Sequence, residues 1–117
     1  MAGPSISTAI PLRRFQLGDF QAVVLGEIES PDPVRYRYIL ALLRAGQTKP
    51  EFFVTCEQNP RAQRTAGSHR LRVISSAFDE DMGSSDDWAD LDRFAEKAVA
   101  LAAHVLGLGE VRATPLR

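Results

Sequence analysis

Cysteine is all but absent. One thiol, Cys56, occurs in 117 residues, so the chain cannot form an internal disulfide and its fold must stand on its core. That usage accords with a reducing compartment, and a cytoplasmic location is expected. Long apolar runs are missing too. None approaches the ~18 residues that a membrane helix requires, so no membrane partner is expected. The first fourteen residues lack both a basic leader and a long apolar stretch, and no secretion signal is expected. Two histidines and one cysteine are too few for a structural zinc site. Glycine-rich phosphate loops, Gly-x-Ser-x-Gly and His-x-x-x-His are all lacking. The expectation is therefore a protein with no cofactor, no metal and no enzymatic activity.

What is present is ordinary for a globular domain: 44% hydrophobic and 25% charged residues. The net charge of −1 conceals an asymmetry. Residues 1–78 carry ten basic and six acidic side chains, residues 79–117 four basic and nine acidic. The two halves attract each other, and mixed surface charge is the simplest reading of the imbalance.

Apolar alternation at period two recurs along the chain with turn residues between the runs. It predicts a first strand over 10–17 and long strands over 20–29, 34–44, 51–57 and 69–78. Gly18-Asp19, Ser30-Pro31-Asp32-Pro33 and Ala45-Gly46-Gln47 supply the turns. A helix follows over 85–106. Ser84 or Ser85 caps it, and Trp88, Leu91, Ala95, Ala98, Ala102 and Val105 form one apolar stripe. Gly107 provides a left-handed stop. The fold class is α+β: an antiparallel β-meander of four to five strands packed on one face by a single C-terminal α-helix. Residues 1–9 read as a disordered arm, 10–109 as one domain, and 110–117 as a tail that can add an edge strand.

Hairpin geometry aligns the strands. It sets Val24 opposite Tyr38, Phe20 opposite Leu42, Tyr38 opposite Cys56 and Cys56 opposite Leu71. On the other face it sets Glu27 against Arg35, Arg37 against Glu57, Glu57 against Arg70 and Phe53 against Ile74. One face is then apolar throughout and carries the helix. The second divides into a charged end and an apolar end made of Val23, Ile39, Leu43, Phe53 and Ile74. One helix cannot cover both faces, so this apolar end is expected to form an interface, the alternative being that the first strand, the N-terminal arm or the C-terminal tail folds over it. A second copy of the chain is the expected partner.

Three further groups carry chemistry. Cys56 and His69 are the available nucleophile-and-base pair, set diagonally on the helix-bearing face. Buried free cysteine is common, and an inert thiol is the expected state. The run Asp79, Glu80, Asp81 with Gly83, Asp86 and Asp87 lacks the spacing of a calcium loop. It reads as a solvated turn and an acidic helix start. Arg35, Arg37, Arg61, Arg64, Arg70 and Arg72 form a candidate basic patch. A nucleic-acid surface would pair such charge with exposed aromatics, and Tyr36 and Tyr38 are expected on the opposite face. The order of four strands and a helix resembles, in topology alone, the Pur-alpha and Whirly single-strand-binding domains. The expected function is a homodimeric, non-enzymatic protein-interaction module, an adaptor or chaperone-like subunit with an unidentified protein partner. The alternatives are a nucleic-acid or polyanion binder using the arginine patch, and a small enzyme or ligand-binding protein with a pocket between helix and sheet.

Overall fold

The computed structural model describes residues 4–50, 52–58, 68–75, 79–108 and 114–116, the last three by backbone alone. The strands are β1 (Thr8–Leu17), β2 (Phe20–Glu29), β3 (Tyr36–Arg44), β4 (Phe52–Gln58), β5 (His69–Ser75), β6 (Asp79–Ser85) and β7 (Thr114–Leu116). They form one antiparallel sheet in the order β6-β5-β4-β3-β2-β1-β7. The α+β class and the meander hold, and the sheet is wider than the four to five strands expected. A 3-10 turn (Asp86–Ala89) and the helix α1 (Leu91–Val105) lie between β6 and β7.

The extra strand β6 is the acidic run that reads as a turn. Every residue of it but Ser85 is exposed. An edge strand wetted on both sides carries no apolar alternation, so periodicity is silent about it. Its charges suit an edge, since they discourage another strand from adding there. The helix also starts later than 85. Asp90 sits in extended backbone (φ −87, ψ 127) between the 3-10 turn and α1, and its carboxylate caps Asp92 N–H at 2.9 Å. At the far end Leu108 N–H donates to Ala103 O and Gly107 N–H to His104 O, with Gly107 at φ 68. This is the left-handed stop that the glycine suggests.

The core lies between α1 and one sheet face. Phe20, Ala22, Val24, Tyr38, Leu40, Leu42, Phe52, Val54, Cys56, Leu71 and Val73 face Phe94, Ala95, Ala98, Ala102 and Ala103. The alanines let the helix approach closely, and the space that remains is filled by Phe94. Its ring is fully buried and stacks on Tyr38 with centroids 5.3 Å apart. Phe94 is absent from the expected stripe, because Leu91, Ala95 and Ala98 already satisfy the three-and-four spacing without it.

Three features depart from the hairpin alignment. Between β2 and β3 the register is shifted by two: Phe20 faces Arg44 and Val24 faces Leu40. A shift of two keeps every side chain on its own face. The ladder also stops at Leu25↔Ile39, so Glu27 has no register partner on β3 and does not meet Arg35. A bulge between Tyr36 and Tyr38 then brings Tyr36, not Arg37, opposite Glu57. The pairings of β4 with β5 fall as expected, with Cys56↔Leu71, Glu57↔Arg70 and Phe53↔Ile74.

The N-terminal arm read as loose is tied down from Ser5 onward. Ser5 N–H donates to Asp32 at 3.0 Å and Ser7 N–H to Glu29 O at 2.8 Å. The expected reach of the β5 strand to Phe78, and residues 110–113 of the tail, lie outside the described residues.

Candidate functional site

The sheet face away from α1 carries two cross-strand rows. One is Arg14, Val23, Ala41, Phe53, Ile74 and Asp79; the other is Leu25, Ile39, Thr55, Arg72 and Asp81. Beyond them lie Tyr36, Glu57, Arg70 and Ser84. The surface therefore grades diagonally from apolar to charged.

At the charged end the Glu57 carboxylate is wholly buried. Desolvation of such an anion is expensive unless partners surround it. Three do. Arg70 approaches Oε1 through Nη2 at 3.0 Å and Nε at 3.1 Å, Arg72 Nε lies 2.8 Å from Oε2, and the Thr55 hydroxyl donates to Oε2 at 2.7 Å. Asp79 and Asp81 on β6 then meet Arg72 at 3.5 Å and Arg70 at 3.7 Å. The cluster joins three strands. Both carboxylate oxygens are engaged, so Glu57 serves as an ionic tie between strands and is not placed to act as a general base. The Glu57–Arg70 pairing is legible in sequence from hairpin register. Asp79 and Asp81 are not, because nothing in their pattern marks β6 as a strand. Thr55 had a usable signal: spaced two residues from Glu57 on one strand, it must share that face.

This arrangement separates the described members of the expected arginine patch. Arg70 and Arg72 face three carboxylates. Arg37 lies over the Tyr38 ring, 5.1 Å from its centroid, and its charge acts on Cys56 and His69 on the helix-bearing face. Arg35 is exposed, and Arg61 and Arg64 lie outside the described residues. The bulge at Tyr36 causes the separation by swapping the faces of two neighbours. Tyr36 thereby joins the Glu57 side. Burial first, and then its hydrogen bond to Asp32, push the phenol well above its ordinary range.

Cys56 and His69 share the helix-bearing face, with Cys56 opposite Leu71 and His69 opposite Gln58. The thiol is fully buried and lies 3.1 Å from Trp88 O, to which it donates. Burial pushes it up to about 12, Arg37 opposing. The imidazole is shifted the other way: burial, then Arg37, lower its pKa. Its Nδ1 pairs with the Ser68 hydroxyl at 2.8 Å. A thiol three units above its ordinary value holds ~1000-fold less thiolate at neutral pH. Native protein should therefore react with a chromogenic thiol reagent at least ~100-fold more slowly than urea-unfolded protein. Equal rates at neutral pH would show that the 3-10 turn does not cover the sulfur.

Of the five expected interface residues, the single chain buries Ile39 and Ile74 and leaves Val23, Leu43 and Phe53 half-buried. Leu25, which the sequence reading passed over, joins them as a half-buried neighbour. Among the described residues no group of histidine, cysteine and carboxylate side chains is arranged to hold a metal ion. None of the described helices is long and apolar enough to cross a membrane. Comparison with protein-family models, with curated proteins and with solved structures returns no match.

Proposed function

We propose that this chain is a non-enzymatic protein-interaction module that works as a homodimer in the cytoplasm, as an adaptor or chaperone-like subunit. The observation that carries this reading is the half-buried strip of Val23, Leu25, Leu43 and Phe53 on the face opposite α1. It surrounds Ile39, Ala41 and Ile74, which the chain itself already buries, so a partner would add cover over the half-buried side chains alone. Covering such area stabilises by ~25 cal/mol per Å². The sheet edges favour a facial contact. β6 presents Asp79, Glu80 and Asp81, and β7 contains Pro115, which cannot donate to a ladder. The tie at Glu57 leaves the charged end as a rim. The lone thiol, buried and held protonated, suits a reducing compartment.

A symmetric contact doubles every change made to it. Phe53→Glu sets two carboxylates near the two-fold axis and should weaken the dimer by at least ~100-fold in Kd. Sedimentation velocity at micromolar concentration measures this on wild type and variant, with circular dichroism as the check on folding. A wild type that sediments as a monomer across that range would sink the proposal.

A further inference from the structure

β2 and β3 are neighbours, yet they part company halfway along. Their ladder ends at Leu25↔Ile39, while β2 runs on to Glu29 and β3 begins at Tyr36. Residues 26–29 stay bound to β1, through Ile10↔Gly26 and Thr8↔Glu29. Residues 36–38 stay bound to β4, through Tyr36↔Glu57 and Tyr38↔Cys56. Two irregularities stand at the fork. Glu27 takes φ 46, a left-handed backbone that a non-glycine residue adopts only when its surroundings hold it there. Opposite it is the bulge between Tyr36 and Tyr38.

A cleft of about 520 Å³ occupies the gap, with Ile28, Asp32, Val34, Arg35 and Tyr36 among its walls. That volume is within the ordinary range of ligand sites. One acid in it is held in place beforehand. The Tyr36 hydroxyl donates to Asp32 at 2.7 Å, and Ser5 N–H at 3.0 Å. These bonds, the tyrosine's first, hold the Asp32 carboxyl below its usual range, so it stands ionised at neutral pH. Glu29 lines the same cleft and adds a second carboxylate, against the single cation of Arg35.

We propose that this cleft binds an extended peptide segment bearing a basic side chain, added as a strand between the parted ends of β2 and β3 with its cation at Asp32. Backbone groups beyond Leu25 and Ile39 have no ladder partner across the gap, and strand addition supplies them. Half-buried Ile28 and Val34 give apolar contacts for alternate side chains. The carboxylates select lysine or arginine over an acid. This site is separate from the Phe53 strip, so neither proposal depends on the other.

The test titrates the isotope-labelled full chain with the capped peptide Val-Lys-Val-Lys-Val, and with Val-Glu-Val-Glu-Val as its acidic counterpart, followed by amide NMR. Saturable shifts should be confined to residues 26–38. Amide exchange there should slow by about tenfold at saturation. The acidic peptide should bind at least about tenfold more weakly. Asp32→Asn should erase most of that preference. Arg35→Glu, a change at an exposed side chain, should tighten the lysine peptide by about threefold. Absence of saturable shifts, shifts centred on the Phe53 face, or equal binding of the two peptides would overturn the proposal.

Discussion

Replacing Phe94 by alanine is expected to cost about 3–5 kcal/mol, the usual range for emptying a buried aromatic site. Phe94 is the largest fully buried side chain among the described residues, and alanines flank it along the helix. Neighbours as short as Ala95 and Ala98 cannot swing into the space, so the cavity persists. The stacked Tyr38 ring loses its partner as well. Denaturant unfolding and thermal melts measure the effect, and a loss above about 10 °C in Tm is expected for a domain of this size. Phe94→Leu should recover about half of it. A Phe94→Ala variant that unfolds within about 1 kcal/mol of wild type would mean that α1 does not seal the core.

The second large effect is expected at Glu57. Glu57→Gln keeps the shape and removes the charge that Arg70 and Arg72 converge on. Breaking a buried pair from one side usually costs 3–5 kcal/mol, because the opposite charges stay behind. Here the two guanidinium groups are about a quarter exposed and retain Asp79 and Asp81 nearby. Solvent screening therefore brings the expected loss down to about 2–4 kcal/mol. The triple change Glu57→Leu, Arg70→Met and Arg72→Met removes the whole cluster and should restore most of the stability. If Glu57→Gln alone is neutral, the cluster is surface decoration and the sheet does not depend on it.

The contrast between β5 and β6 shows how far the chain could be read unaided. β5 alternates Leu71 and Val73 with Arg70 and Arg72, because one of its faces meets α1 and the other meets the ion cluster. That difference in environment is written into the residues. β6 has water on both sides, and its acids suit a turn, a helix start or an edge strand equally well. Only its pairing with β5 separates these. The same limit applies at Tyr36. Period-two alternation assigns a face to every residue of a strand, and one bulge reverses the assignment from that point outward. Glu57 and Arg70 were legible as partners because regular pairing separates them. Regular alternation sets Arg37 and Tyr36 on the wrong faces because an irregular step separates them from the rest of β3.

The sequence by itself determined the class, the meander, the helix-bearing face, the pairing of β4 with β5 and that of β3 with β4 from Tyr38 to Leu42. Those follow from side-chain periodicity, which is a local property: each residue must match the face on which it sits. The stop at Gly107 follows equally from one residue's backbone freedom. The tertiary structure decided the width of the sheet, the gathering of Asp79 and Asp81 around the Glu57 cluster, and the fork between β2 and β3. The width and the cluster rest on the pairing of β6 with β5, and the fork on backbone steps, at Glu27 and between Tyr36 and Tyr38, whose cost is met by contacts far away in the chain. Nothing in a short stretch of residues records such a balance, because the contacts that hold the step exist only once the sheet has formed.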